Sequence, residues 1–227
     1  MSEASMEKST REAVSVTAIV IDDHPLFRKG VADLMEMETE LSLIGEAASG
    51  EEGLELAKSL VPDLILLDLN MKGMDGLETL RALKDLDIDS RVIMLTVSDN
   101  EENVIAALRG GADGYLLKDM EPEDILARLR TAASGRLVIS DNLTELLAHA
   151  LREDPIPKDT EGAGLTEREE EILALIAKGY SNKLVARELD ITEGTVKVHV
   201  KHLLKKLNLR SRVEAAVWAV RQGGYEE

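Results

Sequence analysis

The chain contains no cysteine. Disulfides and thiolate metal sites are therefore excluded, and a reducing cytoplasm is the natural setting. No apolar run approaches the length needed to span a bilayer, so no membrane partner is expected. The opening stretch MSEASMEKSTREAVSV has no apolar centre of the kind a signal peptide requires, and residues 1–15 are expected to form a flexible tail. Also missing are a GxxxxGK nucleotide loop, an internal repeat and any low-complexity tract. Positive charge is scarce: 27 Lys and Arg against 44 Asp and Glu give a net charge of -17. Spread evenly, that charge would exclude a nucleic-acid partner, because such binding sets lysine and arginine against phosphate. It is uneven. Residues 1–140 carry 14 basic and 28 acidic side chains, whereas 178–212 carry 9 basic and 3 acidic, which implies one acidic module and one suited to a polyanion.

At 227 residues the chain has room for two ordinary domains. From 16 to 136, short β-branched runs (VTAIVI, LSLIGEA, DLILLDL, RVIMLT, GYLLK) alternate with amphipathic stretches. Five such pairs predict a doubly wound α/β domain with a five-stranded parallel sheet, flavodoxin-like. In the first helix Leu26, Gly30 or Val31, and Leu34 recur at helical spacing and are expected to face the core. Residues 137–164 hold one possible helix (DNLTELLAHAL) and then REDPIPKDTEGAG, poor in apolar residues, which reads as a linker. Residues 165–224 are helical throughout. Thr166 with Glu169 and Ser211 with Glu214 have the spacing of capping boxes. Between them a helix beginning near Ser181, a tight connection at Asp190 and Ile191, and a helix over 192–207 predict an all-α, four-helix domain with a helix-turn-helix.

Four charged residues end hydrophobic runs of the first domain: Asp22 and Asp23, Asp68, and Lys118. A parallel sheet lines the carboxyl ends of its strands along one edge, where such folds place their sites. Any one of these aspartates could simply cap a following helix, but three carboxylates and an ammonium at one edge need another explanation. Clustered carboxylates raise one another's proton affinity, and a divalent cation resolves the conflict. With only oxygen ligands on offer, that ion is expected to be magnesium.

In the second domain Val196, Val200, Leu203 and Leu207 form one apolar stripe on the helix over 192–207. Lys197, Val198, Lys201 and Lys205 fall on the opposite face. Three lysines alone describe an ordinary solvated surface. A valine among them has no core to join, yet it could touch a thymine methyl while the lysines reach base edges or phosphates. His199 and His202 have no further ligand at metal-binding spacing.

On these residues the first domain resembles the receiver domain of bacterial two-component response regulators. The resemblance implies that Asp68 is the phosphoacceptor and that Asp22 and Asp23, with the backbone carbonyl of Asn70, hold Mg2+. It further implies that Thr96 and Lys118 bind the phosphoryl group and that Tyr115 is a switch aromatic. DLNMKGMDG fits that family, with Gly76 eight residues after the acceptor and Lys72 in place of the usual proline. Haloacid-dehalogenase-like phosphatases, a rival reading, need a second carboxylate where this chain has Asn70. The second domain, LTEREEEILALIAKGYSNKLVARELDITEGTVKVHVKHLLKKL, resembles the LuxR-type effector domain. Lys197, Val198 and Lys201 then correspond to base-contacting positions, Lys205, Thr195 and Asn182 join the candidate DNA contacts, and Gly194 replaces the usual serine. Together the chain is similar to NarL/FixJ-type response regulators, among them the nitrate/nitrite-responsive ones. That likeness implies a regulator, not a turnover enzyme, phosphorylated by a sensor histidine kinase and binding double-stranded promoter DNA as a homodimer, with RNA polymerase a candidate partner. The unphosphorylated receiver is expected to pack on the effector domain and cover Lys197, Val198 and Lys201.

Overall fold

A computed structural model of the chain describes residues 15–86, 88–97, 100–138 and 160–222. The expected tail and most of the expected linker, with its possible helix, lie outside the described residues. Five parallel strands, β1 (Val16–Ile21), β2 (Leu41–Ala47), β3 (Leu64–Asp68), β4 (Arg91–Thr96) and β5 (Gly114–Leu117), form one sheet in the order β2-β1-β3-β4-β5. Helices α1 (Pro25–Glu36), α2 (Gly50–Leu60), α3 (Gly76–Lys84), α4 (Glu101–Arg109) and α5 (Pro122–Ala133) follow the strands in turn. Both sheet faces are covered, which is why the strands read as nearly continuous apolar runs. On one face Ala18, Val20, Leu64 and Leu66 pack with Val31 and Met35 of α1 and with Ile125 and Leu129 of α5. On the other, Ile19, Ile21, Ile65 and Leu67 pack with Ala57 of α2, Leu80 of α3 and Leu108 of α4.

The expected stripe on α1 is rotated. Leu26 is 90% exposed, and the buried positions are Val31, Ala32 and Met35. Proline in the first turn fixes where α1 begins, and from that start Phe27, not Leu26, lies on the face that turns toward the sheet.

The second domain holds a short helix α6 (Thr160–Ala163), then α7 (Glu167–Ala177), α8 (Asn182–Glu188), α9 (Glu193–Leu207) and α10 (Arg212–Arg221). Side-chain oxygens of Thr166, Ser181, Thr192 and Ser211 each accept a backbone N–H of the helix they begin. The Thr166–Glu169 capping box is complete. The Ser211–Glu214 box is only half formed: Ser211 accepts the Glu214 amide, but Glu214 Oε2 accepts from Arg210 N at 2.6 Å instead of closing back on Ser211. Asp190 takes a left-handed backbone (φ 52°) between α8 and α9, the sharp turn that the spacing required. Gly194 does not disturb the start of α9.

The two domains touch. Helix α10 packs on α4, Arg109 Nε lies 3.3 Å from Glu214 Oε1, and Leu137 N donates to Gly179 O.

Candidate functional site

The sheet order places β1 and β3 side by side in the middle, with connections leaving β1 and β3 in opposite directions across the sheet, so a crevice opens beyond their carboxyl ends. Asp22 follows β1 and is fully buried; Asp68 ends β3 and is 1% exposed. Lys118, just past β5, reaches both, its Nζ 2.7 Å from Asp22 Oδ2 and 2.9 Å from Asp68 Oδ2. The ammonium also lies 4.8 Å from the centre of the Phe27 ring, a cation–π contact that holds it over the crevice. Burial raises the proton affinity of Asp68 above the ordinary carboxylate value, Lys118 opposes the rise and Asp22 adds to it.

The loop after Asp68 is fastened by its backbone. Asn70 N donates to Asp68 Oδ1 at 3.2 Å, and the Asn70 amide nitrogen reaches Thr96 Oγ1, buried at the end of β4, at 3.4 Å. Lys72 N donates to Asp23 Oδ2 at 3.3 Å. A proline at that position has no N–H, so the substitution noted in the sequence adds a bond to the acidic pair. Glycine at 76 is a matter of space: a Cβ there would lie 2.3 Å from the Asp68 carbonyl oxygen. Tyr115, on β5, is buried.

Three members of the site escaped sequence reasoning. His24 directs Nδ1 to 2.9 Å from Asp23 Oδ1 and 3.3 Å from Asp22 Oδ1, and its backbone N–H donates to Asp22. Arg28 donates to the Asp22 carbonyl at 2.6 Å, and Phe27 supports Lys118. The signal available was adjacency: His24 directly follows the acidic pair, and residues three and four later on α1 return to the same side. Ligand atoms of Asp22, Asp23, His24 and Asp68 all lie within 4.8 Å of one another. Two buried carboxylates and a third partly buried one, with oxygens converging on one point, suit a hard divalent cation.

The candidate DNA contacts lie on α9 and at the start of α8. Val196, Leu203 and Leu207 are buried and Val200 packs beside them, as the stripe predicted. Thr195, Val198, Lys201 and Lys205 are exposed. Lys197 Nζ lies 3.2 Å from Asp89 Oδ2 of the first domain. The Asn182 side chain faces inward instead, accepting from Arg212 Nη1 at 2.7 Å. Expected cover over the helix is thus incomplete: the receiver meets Lys197, but Val198 stays 52% exposed. The reason is geometric, since contact between α4 and α10 sets the domains against each other beside α9, not on top of it.

No described helix is long and apolar enough to cross a membrane. Residues 18–130 match the response regulator receiver domain, and residues 163–219 match the bacterial regulatory proteins of the luxR family. The nitrate/nitrite response regulator protein NarL of Escherichia coli is 56% identical over 202 residues, 89% of this chain and 94% of that protein. The nitrate/nitrite response regulator protein NarP of Escherichia coli is 44% identical over 94% of this chain and 98% of its own. Among solved structures, the signal receiver domain of a NarL response regulator from Mycobacterium tuberculosis superposes with a TM-score of 0.52 at 38% identity, covering 54% of this chain and 99% of that one. Two matched domains in this order, and relatives that align almost end to end, place the chain in the family of two-component response regulators that join a receiver to a LuxR-type DNA-binding domain.

Proposed function

We propose that Asp68 takes a phosphoryl group from a phosphohistidine on a sensor kinase, and that the resulting charge releases α9 to bind promoter DNA in response to nitrate or nitrite. The observation that carries this is the single ammonium of Lys118 shared between two buried carboxylates. Asp68 must be ionised to attack phosphorus, and Lys118 offsets the burial that would keep it protonated. As the Asp68 oxygen bonds to phosphorus, the bond from phosphorus to the histidine nitrogen breaks and its electron pair returns to the imidazole. Asp22, Asp23 and Asp68, with the Asn70 carbonyl, would hold Mg2+, which supplies positive charge against the transferring group. Lys118 and the Thr96 hydroxyl would then hold phosphoryl oxygens, Thr96 leaving its contact with Asn70. Tyr115, buried on the neighbouring strand, would respond to the shift of Thr96.

Phosphorylation adds close to two negative charges. In the resting arrangement Asp89 stands against Lys197 where a DNA phosphate would otherwise lie. Weakening that contact frees Lys197, Val198, Lys201, Lys205 and Thr195 for the major groove, and turning Asn182 away from Arg212 adds a further polar contact. Two effector domains would pair on a symmetric site, and RNA polymerase would meet the bound dimer. The work is done in the cytoplasm, and the chain serves as a phosphoacceptor without turnover of a substrate.

The test is acetyl phosphate with magnesium, followed by DNA binding before and after. Labelling should be acid-labile, should disappear in Asp68→Asn, and should accompany tighter binding. Undiminished labelling of Asp68→Asn would remove the assignment.

A further inference from the structure

Between the domains lies a cleft of about 690 Å³, within the range of small-molecule sites. Among the described residues its walls carry nine basic side chains against four acidic ones. The DNA-reading helix supplies only two of the nine, Lys197 and Lys201. Three come from the receiver side, Lys84, Arg91 and Arg136, although the first 140 residues hold twice as many acidic as basic side chains. The receiver side also supplies three of the four carboxylates, Asp63, Asp89 and Asp113, and Asp89 pairs with Lys197, so the receiver's own wall is balanced and the excess of cations comes from the effector domain.

Arg212 donates to Asn182 Oδ1 and to the Tyr180 carbonyl, whereas Arg91 is poorly compensated. Arg91 is partly buried, and its buried Nη1 has no hydrogen-bond partner among the described residues. Burial lowers the proton affinity of Arg91 and, more strongly, of Arg212, pushed down to about 10, where Arg91 itself adds to the fall. The carboxylates that act on Arg91, Asp113 and Asp63, are already engaged: Asp113 Oδ2 accepts from Lys84 Nζ at 2.7 Å and from Val92 N at 3.0 Å, and Asp63 Oδ2 from Thr17 N at 3.0 Å. Arg136, at the edge of the cleft, is exposed and has no ion-pair partner among the described residues. Guanidinium forks match phosphoryl oxygens two at a time, and a cleft with this excess of cations calls for an anion of several charges.

We infer that this cleft binds a small phosphorylated anion with two or more phosphoryl groups, bridging receiver and effector domain. Such a ligand requires Arg91 and Arg136 on one side and Arg212, Lys197 and Lys201 on the other. It therefore binds only the closed arrangement and shifts the population toward it. Linkage makes the effect reciprocal: what opens the domains, phosphorylation or DNA, weakens the anion, and the anion weakens DNA binding. The inference depends on the observed domain contact and not on the proposed chemistry at Asp68.

Inorganic pyrophosphate is the probe, titrated calorimetrically into the unphosphorylated full-length chain with a chelator present and ionic strength held constant. One saturating equivalent is expected. Losing a charged hydrogen-bond partner should weaken it about tenfold or more in Arg91→Ala and measurably in Arg136→Ala, an exposed position where folding is not at stake. Lys205→Ala, on α9 but outside the cleft, should bind as the unaltered chain does. The inference is overturned if no saturable binding is seen, if either arginine variant that retains its circular dichroism spectrum binds with unchanged affinity, or if Lys205→Ala weakens binding as much as they do, since the anion would then rest on the DNA face alone.

Discussion

At the carboxyl edge of the sheet, carboxylates outnumber cations and all four charged groups are held by strand ends. Between the domains, cations outnumber carboxylates, and the groups come from helices, loops and two separate domains. The first site exists before any partner arrives, because β1, β3 and β5 fix the backbone from which Asp22, Asp68 and Lys118 project. The second exists only while α10 rests on α4. A rigid crevice can be tuned by single charges, whereas a cleft between domains responds to anything that alters the balance of open and closed. The regulator needs both: a place where charge changes and a contact that feels the change.

The largest effect expected from breaking this comparison comes from Lys118. Removing one partner of a buried ion pair typically costs about 3–5 kcal/mol, because the other charge is left uncompensated. Lys118→Met leaves two, so urea unfolding in chelator at neutral pH should show a loss of at least that order. Its dependence on pH is the sharper check. Asp68 already has a folded-state proton affinity above its ordinary value of 3.8, and the variant raises it further. A carboxyl whose folded pKa exceeds its unfolded one binds extra protons in the native state, so it favours folding as pH falls toward the unfolded value and loses that benefit as pH rises. The gap between Lys118→Met and the unaltered chain should therefore narrow from neutral pH downward. A gap of only about 1 kcal/mol, typical of an exposed pair, and independent of pH, would mean that the crevice is not held by charge.

The corresponding break at the second site is the pair of domain contacts. Arg109→Ala with Asp89→Ala removes one partner of Glu214, which is 1% exposed, and one of Lys197. The Lys197–Asp89 pair is partly exposed, and such pairs contribute about 0–1 kcal/mol, so DNA binding by the unphosphorylated chain should tighten, by about 5-fold if the two contacts together supply about 1 kcal/mol of coupling. Unchanged binding in gel shift would show that phosphorylation acts through dimerisation of the receiver instead.

How much of each region could be read from sequence follows the same division. Strand-end residues were legible because a parallel sheet maps sequence position onto one edge, and Gly76 because spacing to Asp68 carries over. The exposed face of α9 was legible from periodicity alone. What escaped depended on contacts that sequence spacing does not encode: His24 and Phe27 turning back to the crevice, Glu214 drawn to Arg210 and Arg109 instead of closing its box, and Asn182 drawn to Arg212. The orientation of α10 on α4, which leaves Val198 exposed, is a property of two surfaces meeting and has no signature along the chain.

The smallest effect concerns Lys72, the departure in the loop that follows Asp68. Its backbone N–H is the one bond from that loop to Asp23 among the described residues. Lys72→Pro deletes the donor, a net loss of about 0.5–1.5 kcal/mol, but proline also stiffens the unfolded chain by about 0.4–1 kcal/mol where its φ is tolerated. The two nearly cancel, so stability should change by less than about 1 kcal/mol. Magnesium affinity has no such compensation, because Asp23 loses a group that orients it, and a drop of a few-fold is expected in titrations that monitor metal binding directly. Lys72→Ala separates the causes. It keeps the N–H and removes the ammonium, so its metal affinity should hold or rise slightly as a nearby positive charge is withdrawn. If Lys72→Ala instead weakens magnesium as much as Lys72→Pro does, the side chain and not the backbone ties this loop to the acidic pair, and the crevice depends on a flexible charge in the way the cleft does.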